Sequence, residues 1–160
     1  MGEEMISGEI KKAVNSALNY LGYRSRSINE TKNYLKKKGY DEKIIKEAIC
    51  YLEDKEYLDD LCFTKMWIRI RKENHLLGKC RIKSELLLKG INVGLIDEEL
   101  DVLYSQEEEN EKALEAARKQ LKKYGEIEDE KKLQRLYRFL VNKGFRSEIS
   151  RKTCKIFFDF

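Results

Sequence analysis

The 160-residue sequence contains no proline, one histidine and one tryptophan, and it has no long uninterrupted run of apolar residues. Without proline, no backbone N–H is missing from a helical hydrogen-bond ladder. The abundant Leu, Ile, Lys and Glu side chains also lose little conformational freedom in a helix. A membrane-spanning helix needs about 20 consecutive apolar residues. The composition therefore predicts an all-α protein that does not cross a membrane.

Few features of the sequence suggest secretion or a bound metal. Residues 1–9 are acidic and polar, with no apolar run of the kind found in a signal peptide, so we expect a cytoplasmic protein. The cysteines are scattered, with no C-x-x-C pair, and we interpret them as reduced core residues rather than zinc ligands or disulfide partners. They are Cys50, Cys62, Cys80 and Cys154.

Catalytic chemistry has little support in the sequence. The single histidine, His75, lies in the predicted connecting segment Asn74–Gly78, without a paired nucleophile. Neither of the two common glycine-rich phosphate-binding motifs is present, so no nucleotide site is predicted. The acidic run Glu107–Glu109 is interpreted as a solvated helix start that the helix dipole favours. We therefore expect no enzyme activity, no cofactor and no metal.

Three segments of the sequence align on a lysine–glycine pair. The glycines are Gly39, Gly90 and Gly144, 51 and 54 residues apart, and each has a leucine four residues before it. Glycine readily takes the left-handed conformation that ends a helix, so each pair predicts a turn between two helices. The predicted caps of the helices that follow the three turns are Asp41, Asn92 and Ser147.

Apolar stripes with helical spacing extend each turn into three helices. In the first repeat we expect helices over 10–21, 27–38 and 42–54, with Ser27 and Glu30 forming a capping box at the second. The stripes and the sequence motifs described below also predict core positions in the later repeats. Among these are Tyr57, Leu58, Phe63, Met66, Trp67, Ile70, Leu114, Leu136, Ile149 and Ile156.

The repeat predicts three tandem three-helix modules, over residues 1–56 with an N-terminal extension, 57–105 and 106–160. The second module begins with a helix capped by Asp59 or Asp60. Because three short helices bury only a small core, we expect neighbouring modules to share surface and to form an elongated, curved array. The alternative is one compact bundle in which the glycine spacing is coincidental.

Net charge alternates along the repeat. It is +5 over 24–46, −5 over 47–60, +6 over 65–89, −8 over 97–115 and +8 over 118–155. Repeated basic surfaces suit a polyanionic backbone, because each neutralised phosphate releases counterions. The acidic segments suit basic patches on a protein. The alternative is that these charges only solvate helix faces and form weak pairs along each helix.

Three stretches of the sequence carry short motifs in a fixed order. They are R-x-R-S-x-x-E at Arg24–Glu30, Y-L-D-D-x-x-F-x-x-x-W at Tyr57–Trp67, and G-x-x-R-I-x-x-E-L-x-x-K-G-I at Gly78–Ile91. Together they resemble the RecX family, and the likeness runs over about Ala17–Phe157. The sequence departs from the family pattern at Thr31, where leucine is usual, and in the third module, which matches only loosely.

The resemblance implies three tandem three-helix modules and a non-enzymatic regulator of the RecA recombinase, with a role in DNA repair, recombination and the SOS response. Proteins of this family bind RecA and lie along the groove of its filament on DNA. They restrain filament growth, ATP hydrolysis, strand exchange and coprotease activity. The expected partner is thus the RecA filament, with single- or double-stranded DNA as a second candidate, and we expect a monomer.

Basic residues beside the motifs are the candidates for contact with RecA or DNA. The planar guanidinium of arginine can hold a phosphate or carboxylate with two hydrogen bonds, which favours Arg69, Arg71 and Arg81. The second module is therefore the expected main contact. Arg24 has an alternative role, holding an acidic helix end. The full candidate set is Arg24, Arg26, Lys36, Lys37, Arg69, Arg71, Lys72, Lys79, Arg81 and Lys83.

Two other function classes fit the same composition. A helix-turn-helix DNA-binding regulator that acts independently of RecA also uses short helices joined by glycine turns. It needs a recognition helix with polar residues that reach base edges. The third helix of each module is acidic or apolar instead, which disfavours this class. The second alternative is a helical-repeat scaffold for an unrelated protein.

Overall fold

The computed structural model describes residues 7–158, so the extreme ends of the first and third predicted modules, 1–6 and 159–160, lie outside it. Within this range the chain forms nine α-helices and no strand, as the proline-free composition predicts. No helix in it is long and apolar enough to span a bilayer. The helices are α1 (Gly8–Leu21), α2 (Ile28–Lys37), α3 (Glu42–Asp54), α4 (Asp60–Asn74), α5 (Lys79–Leu88), α6 (Val93–Leu103), α7 (Gln106–Leu121), α8 (Asp129–Asn142) and α9 (Ser147–Phe157).

The predicted capping box of α2 is present. Ser27 Oγ accepts the N–H of Glu30 at 3.1 Å, and the Glu30 carboxylate accepts the N–H of Ser27 at 3.1 Å. Asn92 also caps its helix as predicted, because its Oδ1 accepts the N–H groups of Gly94 and Leu95. At α4, Asp59 is the capping carboxylate. Each of these caps satisfies backbone donors that a helix start leaves without an intrahelical partner.

Two predicted caps are wrong. Asp41 precedes α3 with extended backbone, but its carboxylate accepts no capping hydrogen bond. At α9 the helix already includes Ser147, so the N-cap position falls on Arg146. The buried side chain of Phe145 holds the chain just before this position, and the helix begins one residue earlier than predicted.

All three lysine–glycine turns have the predicted left-handed glycine, with φ values of +88° at Gly39, +76° at Gly90 and +87° at Gly144. The residue after the glycine folds back onto the preceding helix: the N–H of Phe145 donates to the carbonyl of Leu140 at 3.2 Å. The prediction of three helix-ending turns is confirmed.

The described chain packs into two compact units. The first comprises residues up to Phe63 together with Lys89–Ile91, and the second comprises Thr64–Leu88 and the residues from Asn92 onward. The boundaries of the three predicted modules stay predictions. The core of the first unit consists of Ala13, Val14, Ala17, Leu35, Ile45, Ala48, Ile49, Leu52 and Leu58. One core cluster of the second consists of Leu76, Ala113, Ala116, Ala117, Leu136, Leu140, Phe145, Ile149 and Cys154.

Several residues predicted to be in the core are exposed. On α4 the buried row is Thr64, Ile68 and Lys72, spaced four residues apart, so this rotation of the helix turns Ile70 to solvent. Ile156 and Tyr57, each 58% exposed, likewise lie outside the core. The interpretation of the cysteines as core residues holds only for Cys154. It is wrong for Cys50, Cys62 and Cys80, which are exposed, and all four are free thiols.

The glycine turn at Gly90 contacts the start of α2 in the first unit. Ser27 Oγ donates to the carbonyl of Lys89 at 2.6 Å, and Lys89 Nζ lies 3.0 Å from Glu30 Oε1. A Cβ added at Gly90 would overlap the Asn29 side chain. The turn therefore needs glycine both for its backbone conformation and for this close approach.

The turn at Gly144 contacts the start of α5 in the same way, within the second unit. The N–H of Gly78 donates to the Lys143 carbonyl at 2.9 Å, and the N–H of Cys80 donates to the Gly144 carbonyl at 3.1 Å. A Cβ added at Gly144 would overlap the backbone of Arg81. The repeat thus uses one kind of joint twice, a glycine turn against a helix start.

At each of the two helix starts that pack against a glycine turn, a carboxylate from another helix accepts a backbone N–H. Asp60 accepts the N–H of Ile28 at 2.9 Å, and the buried carboxylate of Glu109 accepts the N–H of Lys79 at 2.9 Å. Glu109 is therefore not a solvated residue, contrary to the prediction for the acidic run at the start of α7. Its charge lies at the N-terminal end of α5, where the helix dipole favours an anion.

Replacing Gly144 by alanine should destabilise the protein by about 3 kcal/mol, because the variant combines a left-handed alanine with overlap against Arg81. Gly39→Ala is the matched control: its φ is equally positive, but no atom lies within 4 Å of the added Cβ. We expect it to cost about 1 kcal/mol. The free energy of unfolding is measured by urea titration. Equal losses in the two variants would contradict the close packing of the Gly144 turn against the start of α5.

Candidate interaction surface

The centre of the candidate surface is Glu85 on α5, which gathers side chains from α4 and from its own helix. Trp67 Nε1 donates to Glu85 Oε2 at 3.1 Å, and Arg71 Nε lies 2.7 Å from the same oxygen. Arg81 Nε lies 3.5 Å from Glu85 Oε1. We call these four residues the Glu85 cluster. The cluster brings together two of the three arginines that the sequence favoured.

The Glu85 cluster holds Arg71 in a defined position. The Arg71 guanidinium lies over the Trp67 ring, 4.4 Å from its centroid, in a cation–π contact. Only 25% of the Arg71 side chain is exposed, against 57% for Arg81. An arginine with a fixed head group loses little entropy when it binds a partner, which suits it to recognition of carboxylate or phosphate.

Arg69 lies on the exposed side of α4. Within residues 7–158 no hydrogen bond or ion pair engages its side chain. Because Arg69 and Arg71 are two residues apart, their side chains point to nearly opposite sides of α4. The Glu85 cluster itself has two guanidinium groups against one carboxylate and so keeps a net positive charge.

Three lysines of the candidate set are occupied within the fold. Lys72 is buried, and its Nζ donates to the Leu103 carbonyl at 2.6 Å and to Glu108 Oε1 at 2.8 Å. The hydrogen bond joins α4 to the end of α6, and the ion pair joins α4 to the start of α7. Lys79 lies 3.7 Å from Asp101, and Lys83 is paired with Asp97. Their charges are largely compensated, so they add little to the surface.

Of the four candidate residues in the first unit, two contact other side chains of the fold closely and two are exposed lysines. Arg24 donates to Glu30 at 2.8 Å, which is the alternative structural role considered for it. Arg26 lies over the Tyr20 ring, 4.2 Å from its centroid. Lys36, 3.7 Å from Glu42, and Lys37 are both exposed on α2.

The charge pairs around Glu30 alter its acidity. Partial burial alone would raise the pKa of Glu30, but hydrogen bonds from Arg24, the Ser27 backbone and Lys89 outweigh it and lower the pKa from 4.5 to about 2. Glu30 is thus ionised in the folded protein across ordinary pH. It caps α2 and holds Lys89 of the glycine turn at the same time.

The contact of His75 with the rest of the fold is made by its backbone. His75 is exposed between α4 and α5, and its backbone carbonyl accepts a hydrogen bond from Lys143 Nζ at 2.8 Å. Burial, and then the nearby charges of Lys123 and Lys119, lower the pKa of Lys143. Positive charge therefore accumulates around the end of α7 and the turn after α8.

Basic residues of α8 and α9 were missed because they lie outside the sequence motifs. They are Arg135, Arg138, Arg151, Lys152 and Lys155, and all five are exposed. The only sequence signal that pointed to them was the net charge of +8 over residues 118–155. The net charge gave no information on which helix faces carry these residues.

The fold and the surface together define an all-α helical-repeat protein in which ion pairs and a ring contact position arginine side chains at the surface. Within residues 7–158 no group of three or more His, Cys, Asp or Glu residues is placed to hold a metal ion. Two family models match the chain: "RecX, first three-helix domain" over residues 13–52 and "RecX, third three-helix domain" over residues 107–153.

Known proteins agree with these matches. Regulatory protein RecX of Bacillus licheniformis is 35% identical over 141 residues, 88% of this chain and 53% of that protein. Regulatory protein RecX of Halalkalibacterium halodurans is 32% identical over 149 residues, 93% of this chain and 56% of that protein. The chain thus spans about half the length of these relatives.

A solved structure shows the same fold over nearly all of both chains. The crystal structure of RecX from Lactobacillus salivarius gives a TM-score of 0.82 at 27% identity, covering 94% of this chain and 97% of that one. The chain belongs to the RecX family.

Replacing Glu30 by glutamine should lower stability at pH 7 by about 1 kcal/mol, a value discounted for solvent screening. The pKa of Glu30 is depressed in the folded state, so its contribution is present above pH 4.5 and is lost as pH falls toward 2. The difference in unfolding free energy between wild type and variant should therefore shrink over this range. A difference that is independent of pH would show that the ionised carboxylate contributes nothing.

Proposed function

We propose that this protein regulates the RecA recombinase by binding its filament on DNA. The observation that carries the proposal is membership of the RecX family, whose relatives are regulatory proteins. The expected effect is inhibition: slower filament extension, ATP hydrolysis and strand exchange, and less coprotease activity. The protein would act in the cytoplasm, as a monomer and without catalysis of its own.

The Glu85 cluster and Arg69 are the proposed contact with the filament. Arg69 and Arg81 are exposed, and the head group of Arg71 is fixed by Glu85 and Trp67. Guanidinium groups fixed in this way can form paired hydrogen bonds with carboxylates of a protein or with phosphates. This support is stronger than for Lys72, Lys79 and Lys83, whose charges are compensated inside the fold.

Two buried titratable groups of the second unit have structural roles. The buried carboxylate of Glu109 accepts a hydrogen bond from the start of α5. The hydroxyl of Tyr104 is buried, which raises its pKa, and it donates to the Leu77 carbonyl at 3.0 Å. These titratable groups serve the joints between helices.

RecA hydrolysis of ATP on single-stranded DNA should slow when this protein is added at less than one copy per RecA. Inhibition at such ratios would mean that a few bound molecules limit the growth of a filament. The measurement is the steady-state ATPase rate across a dilution series. A rate unchanged even at excess protein would refute the proposed function.

Exchanging Arg69, Arg71 and Arg81 for glutamate should abolish this inhibition while the helical circular dichroism signal is retained. Arg69→Glu alone should weaken it, and this single change breaks no contact within the fold. Lys11→Glu, Lys12→Glu and Lys46→Glu together form the matched control, since they reverse three exposed charges on α1 and α3. If the arginine variant inhibits as well as this control, the contact lies elsewhere.

A further inference from the structure

The short connection between α4 and α5, residues 75–78, has a strained backbone. Leu76 has a φ of +50°, in the left-handed region that a residue with a Cβ rarely adopts. The N–H of Leu77 donates to the Arg71 carbonyl, so Leu76 ends α4 at the position that glycine usually takes at the end of a helix. The helices α2, α5 and α8 have glycine at this position, whereas α4 has leucine.

The side chain of Leu76 explains why leucine stands at this position. It is buried and belongs to the core cluster formed by α7, α8 and α9. A glycine would relieve the backbone strain but would leave a cavity in that core. Burial of the side chain therefore offsets the strain. The conformation of the connection depends on the helices around it rather than on its own sequence.

Two side chains from other helices hold the backbone of the connection. The hydroxyl of the buried Tyr104, directly after α6, donates to the Leu77 carbonyl at 3.0 Å. Lys143, directly after α8, donates from Nζ to the His75 carbonyl at 2.8 Å. The carbonyls on both sides of Leu76 are thus each bound by a donor from outside α4 and α5.

The same connection joins the two halves of the Glu85 cluster. Trp67 and Arg71 lie on α4, whereas Arg81 and Glu85 lie on α5. Arg71 is in the last turn of α4 and Arg81 is in the first turn of α5. A change of the backbone angles at Leu76 would rotate one helix against the other. Such a rotation would separate Glu85 from Trp67 and Arg71.

The forces at the connection are closely balanced. The free-energy cost of a left-handed leucine and the net contribution of one hydrogen bond are of similar size. Loss of a single donor therefore changes the balance. Loss of the Tyr104 hydroxyl has the larger effect, because the Leu77 carbonyl that it binds is then left without this donor in a partly buried place.

We propose that Tyr104 and Lys143 are positioning residues for the Glu85 cluster and that they act through the strained α4–α5 connection. While both donors are in place, Trp67 and Arg71 stay against Glu85. When the donors are lost, the connection relaxes and the cluster opens. The role of the cluster in binding rests on the proposed function, whereas the positioning is a property of this chain alone.

The test is the exchange of the Trp67 indole N–H with solvent, followed by NMR of the full chain without RecA. Trp67 is the only tryptophan in the sequence, and its indole donates to Glu85, so this proton reports directly on the cluster. The double variant Tyr104→Phe and Lys143→Met keeps the bulk of both side chains and removes their donors. We expect about tenfold faster indole exchange, since each lost hydrogen bond raises the open population several-fold. The N–H groups of Leu77 and Gly78 should accelerate with it.

Three further variants separate positioning from other effects. Lys123→Met removes a positive charge close to Lys143 and should leave the indole exchange unchanged. Ile96→Val weakens a buried contact of α6 and lowers the stability of the second unit, but it should also leave the indole exchange unchanged. Lys143→Arg in the Tyr104→Phe background should restore part of the slow exchange, because a guanidinium can also donate to the His75 carbonyl.

Inhibition of RecA provides a second readout. The double variant should need about twofold more protein for half-inhibition of ATP hydrolysis, because apparent affinity falls with the fraction of molecules whose cluster is closed. Lys143→Arg should restore part of this loss as well.

The proposal is overturned if the indole exchange of the double variant equals that of the wild type. Faster exchange at Leu77 and Gly78 without a change at the indole would also overturn it, since the connection would then open without moving the cluster. So would equal acceleration by Ile96→Val, which would trace the effect to general stability. If wild-type protein leaves RecA hydrolysis unaffected, the proposed function fails, and the indole exchange still decides the positioning.

Discussion

The packing of a left-handed glycine turn against a helix start is the interaction on which the rest of the structure depends. At Gly90 and Gly144 the turn ends one helix and at the same time contacts the first residues of another. A side chain at either position would separate the two. Gly39 makes the same turn with open space around it, so there only the backbone conformation requires glycine. The first repeat therefore has the left-handed turn, but no helix start packs closely against its glycine.

Local features of the fold could be predicted from the sequence because they depend on neighbouring residues. The glycine turns, the Ser27 capping box and the Asn92 cap each involve residues within a few positions of one another. Burial around a helix depends on its rotation against distant partners. Helical periodicity allowed Ile70 and Ile156 as core positions, but the packed helices turned them outward.

Charged residues were harder to assign, because ion pairs are tertiary contacts. Lys72 and Glu108 are 36 residues apart and meet only in the folded protein. Arg71 and Arg81 share Glu85 for the same reason. Motifs directed attention to the second module, whereas Arg135 and Arg138 lie in a region that matched loosely. Which charges remain available for a partner could be decided only after the internal pairs were known.

The account proposes that the Glu85 cluster and Arg69 contact the RecA filament. Hydrogen–deuterium exchange of this chain, free and bound to preassembled RecA filaments on single-stranded DNA, tests this contact most directly. We expect slower exchange in peptides covering 65–88, with little change in 8–21. Protection confined to 8–21, or none at saturating filament, would contradict the account.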